Sequence, residues 1–359
     1  AVSGLDNGLA STPPRGWRSW NVYNCKSPRA IITDAAMRGA IRAVLDRSRT
    51  VRGRPMSLKD LGYGWVSMDD GWQKCNCSVT QDEDPALPTC SIAQCFHGEC
   101  TWHEASGAPK VNLDRFPDMK ALVDFGHGLG VRVGGYLNTC ICAEAGRVPP
   151  HYEQDVAWFT SVGFDEVKID NCGSSRDVAR WSKLFNASGK PVRIENCHNS
   201  VPNPQRPQDC PMNMYRSGGD INAGFGSILG EAFSTVSFND LPQPLSRPGC
   251  WAYPDMLEIG NFRTQEPLRS HEERSHFGLW SVVSAPLILG FNMTDRETMD
   301  RVWPTITNLD ALAVNEAWAG LPGTLVKSYP AAGLDVFQIG QRPCANEDPS
   351  ILGWQLHDG

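Results

Sequence analysis

No apolar run among the 359 residues approaches the ~18–20 needed to span a bilayer. The longest candidate, LWSVVSAPLILGF at 279–291, is short, is interrupted by Pro286 and reads as a core element. A basic excess is missing too: 33 Lys and Arg stand against 40 Asp and Glu, a net charge of −7 with a pI near 5.6. That balance gives no electrostatic reason to expect nucleic acid or an anionic membrane as partner. The chain has no low-complexity tract and no internal repeat. At 41% hydrophobic and 20% charged, it has the composition of a folded globular protein rather than a disordered one.

Cysteine, by contrast, is plentiful. Thirteen of them point to an oxidising compartment, where disulfides persist. N-x-S/T sequons at Asn76, Asn186 and Asn292 agree with a secreted, extracellular protein or one sent to the lysosome or vacuole. The sequence begins at Ala1 rather than methionine, so a removed targeting segment is expected. An odd cysteine count leaves at least one thiol free or paired outside the chain, and oligomerisation or a larger assembly stays open.

Eight short segments have strand character: 16–22, 63–70, 131–138, 166–172, 191–197, 213–220, 256–260 and 286–292. Stretches at 33–48, 118–130, 151–163 and 175–189 space their apolar residues as helices do, and most stop at glycine. Alternating strand and helix implies a parallel sheet, and eight such units suit an α/β fold of the (β/α)8 TIM-barrel type, typically about 250 residues plus insertions. The expected barrel covers 12–320. Residues 75–110, with Cys75, Cys77, Cys90, Cys95 and Cys100 among Pro, Asp and Gly, read as a disulfide-pinned loop insertion. Zinc is the competing reading there, with His97 and His103 nearby, but the spacings are not those of a standard zinc module. The pattern turns β-like past Pro322, and 321–359 is expected to begin an antiparallel C-terminal domain that is incomplete here.

The segment EVKIDNC, 166–172, puts Lys168 and Asp170 on one face of a strand and Val167 and Ile169 on the other. A structural ion pair would account for the heptapeptide alone. In a barrel, however, residues at the C-terminal strand ends converge on the active site. Those ends carry Trp20, Asp69, Asp70, Tyr136, Lys168, Asp170, Cys197, His198, Arg216, Asp220 and Asp255. Stability alone does not call for so many converging carboxylates, whereas a carbohydrate site does. Carboxylates accept from vicinal hydroxyls, an indole packs on the sugar's C–H face, and two further carboxylates perform the bond chemistry.

The motifs PPRGWRSWN, MDDGW, RFPDMKAL, VKIDNC, RSGGDI, PDMLEIGN, RSHFGLWSVVSAPLILG and AVNEAWAG occur in this order. Together they resemble the melibiase-type α-galactosidases, glycoside hydrolase family 27 in clan D, from about Thr12 to Gly320. The resemblance implies a retaining exo-glycosidase for terminal α-linked galactose, needing no metal or organic cofactor. It places the nucleophile at Asp170 and the acid/base at Asp220. Lys168 is expected to favour the Asp170 anion, and that anion to raise the pKa of Asp220. By the same resemblance Asp69 and Asp70 bind the sugar's 4- and 6-hydroxyls, Trp20 stacks on the ring, and Tyr136, Arg216 and Asp255 contact the sugar. Helix capping is the bland alternative for the Asp pair, and structural hydrogen bonding for the last three. Cys172 is implied to bridge to Cys140 or Cys142. Cys197 with Cys210 is the expected second bridge, and Cys25 with Cys75 or Cys77 the third.

The chain departs from the family pattern in two places. His198 stands where an acidic residue commonly contacts the sugar's 2-substituent, leaving a role at a 2-hydroxyl or a structural role open for it. Ala252 and Tyr253 replace Asn and Asp. The rival activities are α-N-acetylgalactosaminidase and β-L-arabinopyranosidase. Relatives that prefer the second enlarge the first carboxylate of the Asp pair, and Asp69 is not enlarged, which favours galactose. A secreted glycan-binding or structural homologue without turnover is the alternative from another class, yet both Asp170 and Asp220 are present.

Overall fold

Side-chain alternation on one strand sets the plan of the molecule. In β6, Glu166–Ile169, Val167 and Ile169 join the hydrophobic core beneath the helices, while Glu166 and Lys168 turn into the barrel. A computed structural model describes residues 4–23, 32–76, 100–140, 142, 144, 150–206, 208–261, 268–318 and 320–324. The other barrel strands are β1 Arg15–Arg18, β4 Trp65–Ser67, β5 Arg132–Leu137, β7 Arg193–Asn196, β8 Met214–Arg216, β9 Trp251–Tyr253 and β10 Leu287–Leu289. A separate antiparallel pair, β2 Thr50–Val51 and β3 Arg54–Pro55, lies between β1 and β4 in the chain. All eight barrel strands pair in parallel in the order β10-β1-β4-β5-β6-β7-β8-β9. A parallel bridge between Leu257 and Leu289 joins the two ends, with Leu257 N–H donating to the Ile288 carbonyl at 2.8 Å. The result is the expected (β/α)8 barrel.

Seven of the eight expected strands overlap observed ones. The seventh is displaced. The strand is Trp251–Tyr253, and the expected 256–260 segment supplies only the bridging Leu257. All three residues of WAY are buried, so no alternation of apolar and polar residues marks this strand in the sequence. Helices form at Asp34–Ala43, Met119–Gly128, Tyr152–Val162 and Val178–Ala187, within the four expected stretches. Thr33, Asp118 and Asp177 accept a first-turn N–H and start three of them, each cap contributing about 1 kcal/mol. Gly163, at φ 100°, ends the fourth in the left-handed conformation that an L side chain resists. Residues 325–359, which hold nearly all of the expected C-terminal β domain, lie outside the described residues, as do Cys25, Cys77, Cys90, Cys95 and His97.

The barrel interior is not purely apolar. Arg18 from β1 pairs with Glu166 of β6 and Glu195 of β7, and Arg193 of β7 pairs with Glu166. All four are nearly inaccessible to solvent. Burial opposes the charge on Arg18, but Glu195 foremost and Asp69 with it outweigh that and hold its pKa above the ordinary arginine value. Gly134 on β5 is required by this packing, because a Cβ there would lie 2.2 Å from Ser67 Oγ. Removing one partner of a buried ion network leaves an uncompensated charge and costs about 3–5 kcal/mol. Arg18→Ala should therefore lower unfolding free energy by roughly that amount. Denaturant unfolding measures it, and a loss indistinguishable from zero would show that the network contributes nothing to stability.

Candidate active site

The C-terminal end of β6 presents Lys168 and Asp170 where β4 ends in Asp69 and Asp70. Lys168 Nζ donates to Asp69 Oδ2 at 2.9 Å and stands 3.8 Å from Asp170 Oδ2. Burial works against its charge, but Asp69 above all, with Asp170 contributing, holds its pKa well above the ordinary lysine value. The ammonium also lies 5.2 Å from the Tyr136 ring centre and 5.9 Å from that of Trp20. Both oxygens of Asp170 are fixed. Tyr136 Oη donates to Oδ2 at 2.7 Å, and the Asn171 N–H donates to Oδ1 at 2.8 Å. Burial first, and Asp170 next, keep the Tyr136 phenol well above its usual pKa, so it remains a donor.

Asp69 and Asp70 cap no helix among the described residues. Asp69 accepts from Lys168 and from the Asp70 N–H, and Arg18 Nε is 3.9 Å away. Asp70 accepts from Thr139 Oγ1, from the Cys140 N–H at 2.8 Å and from the Gly71 N–H at 2.9 Å, which ties the loop after β5 to the end of β4. Trp20 opens the short helix Trp20–Tyr23 after β1, half-buried against an inner cluster of Met214, Trp251, Tyr253, Met256 and Ile288.

Arg216, at the end of β8, organises the opposite side. Its Nη2 lies 2.9 Å from Asp255 Oδ2 and 3.1 Å from Asp220 Oδ1, and its Nη1 lies 3.7 Å from Cys197 Sγ. Asp255 also accepts from the Ile221 N–H at 3.0 Å and the Met256 N–H at 2.8 Å, so it anchors the segment that carries Asp220. The side chain of Asp220 is 77% exposed, against 2% for Arg216. The sequence leads one to expect a raised Asp220 pKa, and the structure gives the reverse. Partial desolvation by the surrounding mouth would raise it, but Arg216 foremost, then Lys168 and His198, outweigh that and hold the carboxyl below its usual range.

Cys197 does not pair with Cys210. It is a buried free thiol beside Arg216, raised well above the usual cysteine pKa by burial, while Cys210 bonds to Cys250. Of the two implied partners for Cys172 the structure selects Cys140, and Cys75 bonds to Cys142 rather than to Cys25. Loop paths, which spacing does not encode, decide these partners. His198 Nε2 donates to the Gly218 carbonyl at 2.8 Å, and its Nδ1 stands 3.6 Å from Cys197 Sγ. The imidazole thus bridges the ends of β7 and β8. Asn138, His198 and Asp255 all have positive φ, at 61°, 65° and 80°, immediately or shortly after β5, β7 and β9. Asn76, Asn186 and Asn292 are all exposed.

Sequence reasoning passed over two groups. Arg18, Glu166, Arg193 and Glu195 support the site from below, and the i, i+2 spacing of Glu166 with Lys168 and of Arg193 with Glu195 is the signal that marks them. Glu231, on the helix Phe225–Ser234, lies under the Asp220 segment and accepts from the Gly219 N–H. Burial pushes its pKa up to about 8, with Arg216 opposing, which favours the neutral form beside Asp220. A Cβ on Gly218 would meet Glu231 Oε2 at 2.1 Å and the Ser234 Cβ at 2.9 Å, so a side chain there would force both to shift.

A parallel barrel with paired carboxylates at its C-terminal mouth is an arrangement used by glycoside hydrolases. A family model described as alpha galactosidase A matches residues 86–317. The α-galactosidase of Cyamopsis tetragonoloba is 30% identical over 358 residues, covering 97% of this chain and 74% of the relative. That of Oryza sativa subsp. japonica is 29% identical over 359 residues, covering 98% and 73%. Among solved structures, the α-galactosidase from Saccharomyces cerevisiae superimposes with a TM-score of 0.70 at 21% identity over 93% of this chain and 70% of that one, a likeness of fold. The chain belongs to the melibiase-type α-galactosidase family and is a glycoside hydrolase.

The ion pair with Arg216 accounts for the low Asp220 pKa, so removing the guanidinium should raise it. In the double variant Arg216→Gln/Asp255→Asn, which also neutralises the arginine's second partner, the Asp220 carboxyl should titrate at higher pH than in the parent. Side-chain carboxyl NMR reads this directly, and an unchanged or lower value would assign the depression to another cause.

Proposed function

We propose that the chain is an exo-acting α-galactosidase that releases terminal α-linked galactose with retention, through a covalent glycosyl intermediate on Asp170. The observation that carries this reading is the contrast between two carboxylates. Asp170 is buried with a donor on each oxygen, whereas Asp220, two barrel strands away, is exposed and tethered through Arg216. A nucleophile has to be held ionised and aimed, while an acid/base has to move and exchange its proton.

In the first step Asp170 attacks the anomeric carbon, and Asp220 gives its proton to the departing glycosidic oxygen. In the second, Asp220 takes a proton from water, which attacks the same carbon and frees Asp170. Lys168 stands 3.8 Å from the Asp170 carboxylate and Tyr136 fixes its aim, so neither has to rearrange during attack. Asp69 and Asp70 have acceptor capacity beyond their protein partners, since an ionised carboxylate offers about four sites. With Lys168 as donor they fit the 4- and 6-hydroxyls of galactose, and the Trp20 face packs on the ring. Asp220 must carry a proton to begin, although Arg216 favours its anion. An entering sugar that draws Asp220 towards the glycosidic oxygen leaves Arg216 to Asp255, already its partner at 2.9 Å. The proton then becomes easier to hold, because the guanidinium no longer favours the anion. Because kcat/KM reports the free enzyme, its fall on the alkaline side should begin at acidic pH. The described disulfides fit an oxidising compartment, and we place the protein outside the cell or in a lysosome or vacuole.

A chromogenic α-galactoside at mildly acidic pH tests the reading. Asp170→Asn should abolish turnover, and Asp220→Asn should lower it by about 10²–10⁴-fold. NMR of the first-formed product should show α-galactose. Equal turnover by parent and Asp170→Asn would remove the assignment, and β-galactose as first product would remove retention. Parallel assays with β-L-arabinopyranoside and α-N-acetylgalactosaminide substrates should give lower kcat/KM.

A further inference from the structure

Away from the sugar site, a second group of titratable side chains lies buried between the segment after Cys100, the loop after β5 and the start of the helix Tyr152–Val162. His103 sits between two carboxylates: Nδ1 is 2.7 Å from Glu144 Oε2, and Nε2 is 2.9 Å from Asp155 Oδ1. All three are at most 5% exposed. The ring of His151 is 4.3 Å from that of His103, centre to centre. One donor atom each from His103, Glu144 and His151 falls within 4.8 Å of the others. Trp102, with its ring 3.9 Å from His103 and itself packed on Trp72, closes an apolar wall beside the group.

We propose that His103, Glu144 and His151 form a binding site for a divalent transition metal, zinc being the best match, with Asp155 orienting His103 from behind. Two nitrogens and one carboxylate oxygen are a recurrent zinc donor set, at metal distances of about 2.0–2.2 Å. A ligating histidine almost always donates its other N–H to a carboxylate or carbonyl, which fixes the tautomer. Asp155 stands in that place at Nε2 and leaves Nδ1 for the metal. The charge is the second, independent indication. Glu144 and Asp155 are both buried, and among the described residues no lysine or arginine lies within ion-pair distance of either, so His103 is the one basic side chain in contact with both. Its Nδ1 and Glu144 Oε2 face each other across 2.7 Å. A divalent cation seated between them that recruits His151 would balance both carboxylates. Glu144 is bound to the neighbouring backbone as well, accepting from the Trp102 N–H at 2.8 Å and from Thr101 Oγ1, so the donor set is held in place beforehand. Bound there, the ion would clamp the segment after Cys100 to the loop whose Thr139 and Cys140 hold Asp70. This inference does not depend on the substrate assigned to the barrel mouth.

The experiment uses the untagged full chain, stripped with chelator, dialysed and titrated with zinc chloride alone. Calorimetry and elemental analysis after gel filtration should give one equivalent per chain and a higher melting temperature than the stripped protein. His151→Ala, at the partly exposed edge, leaves the His103 ion pairs intact. It should melt like the stripped parent but bind zinc at least about ten-fold more weakly. Cys197, His198 and Asp220 also bring three donor atoms within 4.8 Å, so Cys197→Ser is the control and should bind zinc as the parent does. Failure of the parent to bind zinc, undiminished binding by His151→Ala, or loss confined to Cys197→Ser would each overturn the proposal.

Discussion

One ammonium holds the barrel mouth together. Lys168 lies between Asp69 and Asp170, two carboxylates that would otherwise repel one another in a place water barely reaches. Its own charge is possible only because those carboxylates are there, since burial alone would neutralise it. Removing Lys168 would leave two buried carboxylates without their shared counterpart. Below this layer a second one, built from Arg18, Glu166, Arg193 and Glu195, repeats the arrangement. The barrel interior is therefore a stack of mutually dependent charges inside an apolar shell. Such networks contribute little net stability but are costly to break in part.

This dependence lets one scaffold hold two carboxylates in different surroundings. Asp170 gains donors from Tyr136 on β5 and from the Asn171 N–H just past the end of β6. Asp220 lies beyond the sheet, on a segment attached through Asp255 and lying over Glu231. Burial favours the neutral form of Glu231, and Asp255 is paired with Arg216. Arg216 is foremost among the charges that favour the Asp220 anion, and movement of an exposed side chain can change its distance.

Much of this was legible in the sequence because it follows from alternation along strands. Lys168 and Asp170 share a face, and glycine and aspartate mark where helices stop and start. The strand at Trp251–Tyr253 was not legible, because three consecutive buried residues show no period, and the later MLEIG run looked more strand-like. The partners of Cys75, Cys197 and Cys210 depend on how loops cross in space. The sign of the Asp220 shift was missed for a related reason. The anion expected to raise its pKa was visible in the sequence, but the guanidinium that lowers it acts through a contact that only the folded loop creates.

The left-handed backbone at residues 138, 198 and 255 bears on how this surface can drift. Asparagine and aspartate tolerate that conformation, so positions 138 and 255 suit their places on backbone grounds alone. Histidine also visits that region, though glycine would relax the turn further. What the imidazole adds is a join between neighbouring strand ends through the Gly218 carbonyl. That corner trades local comfort for a strut, and substitutions that leave out the strut should surface first as looseness around the rim rather than as collapse of the barrel.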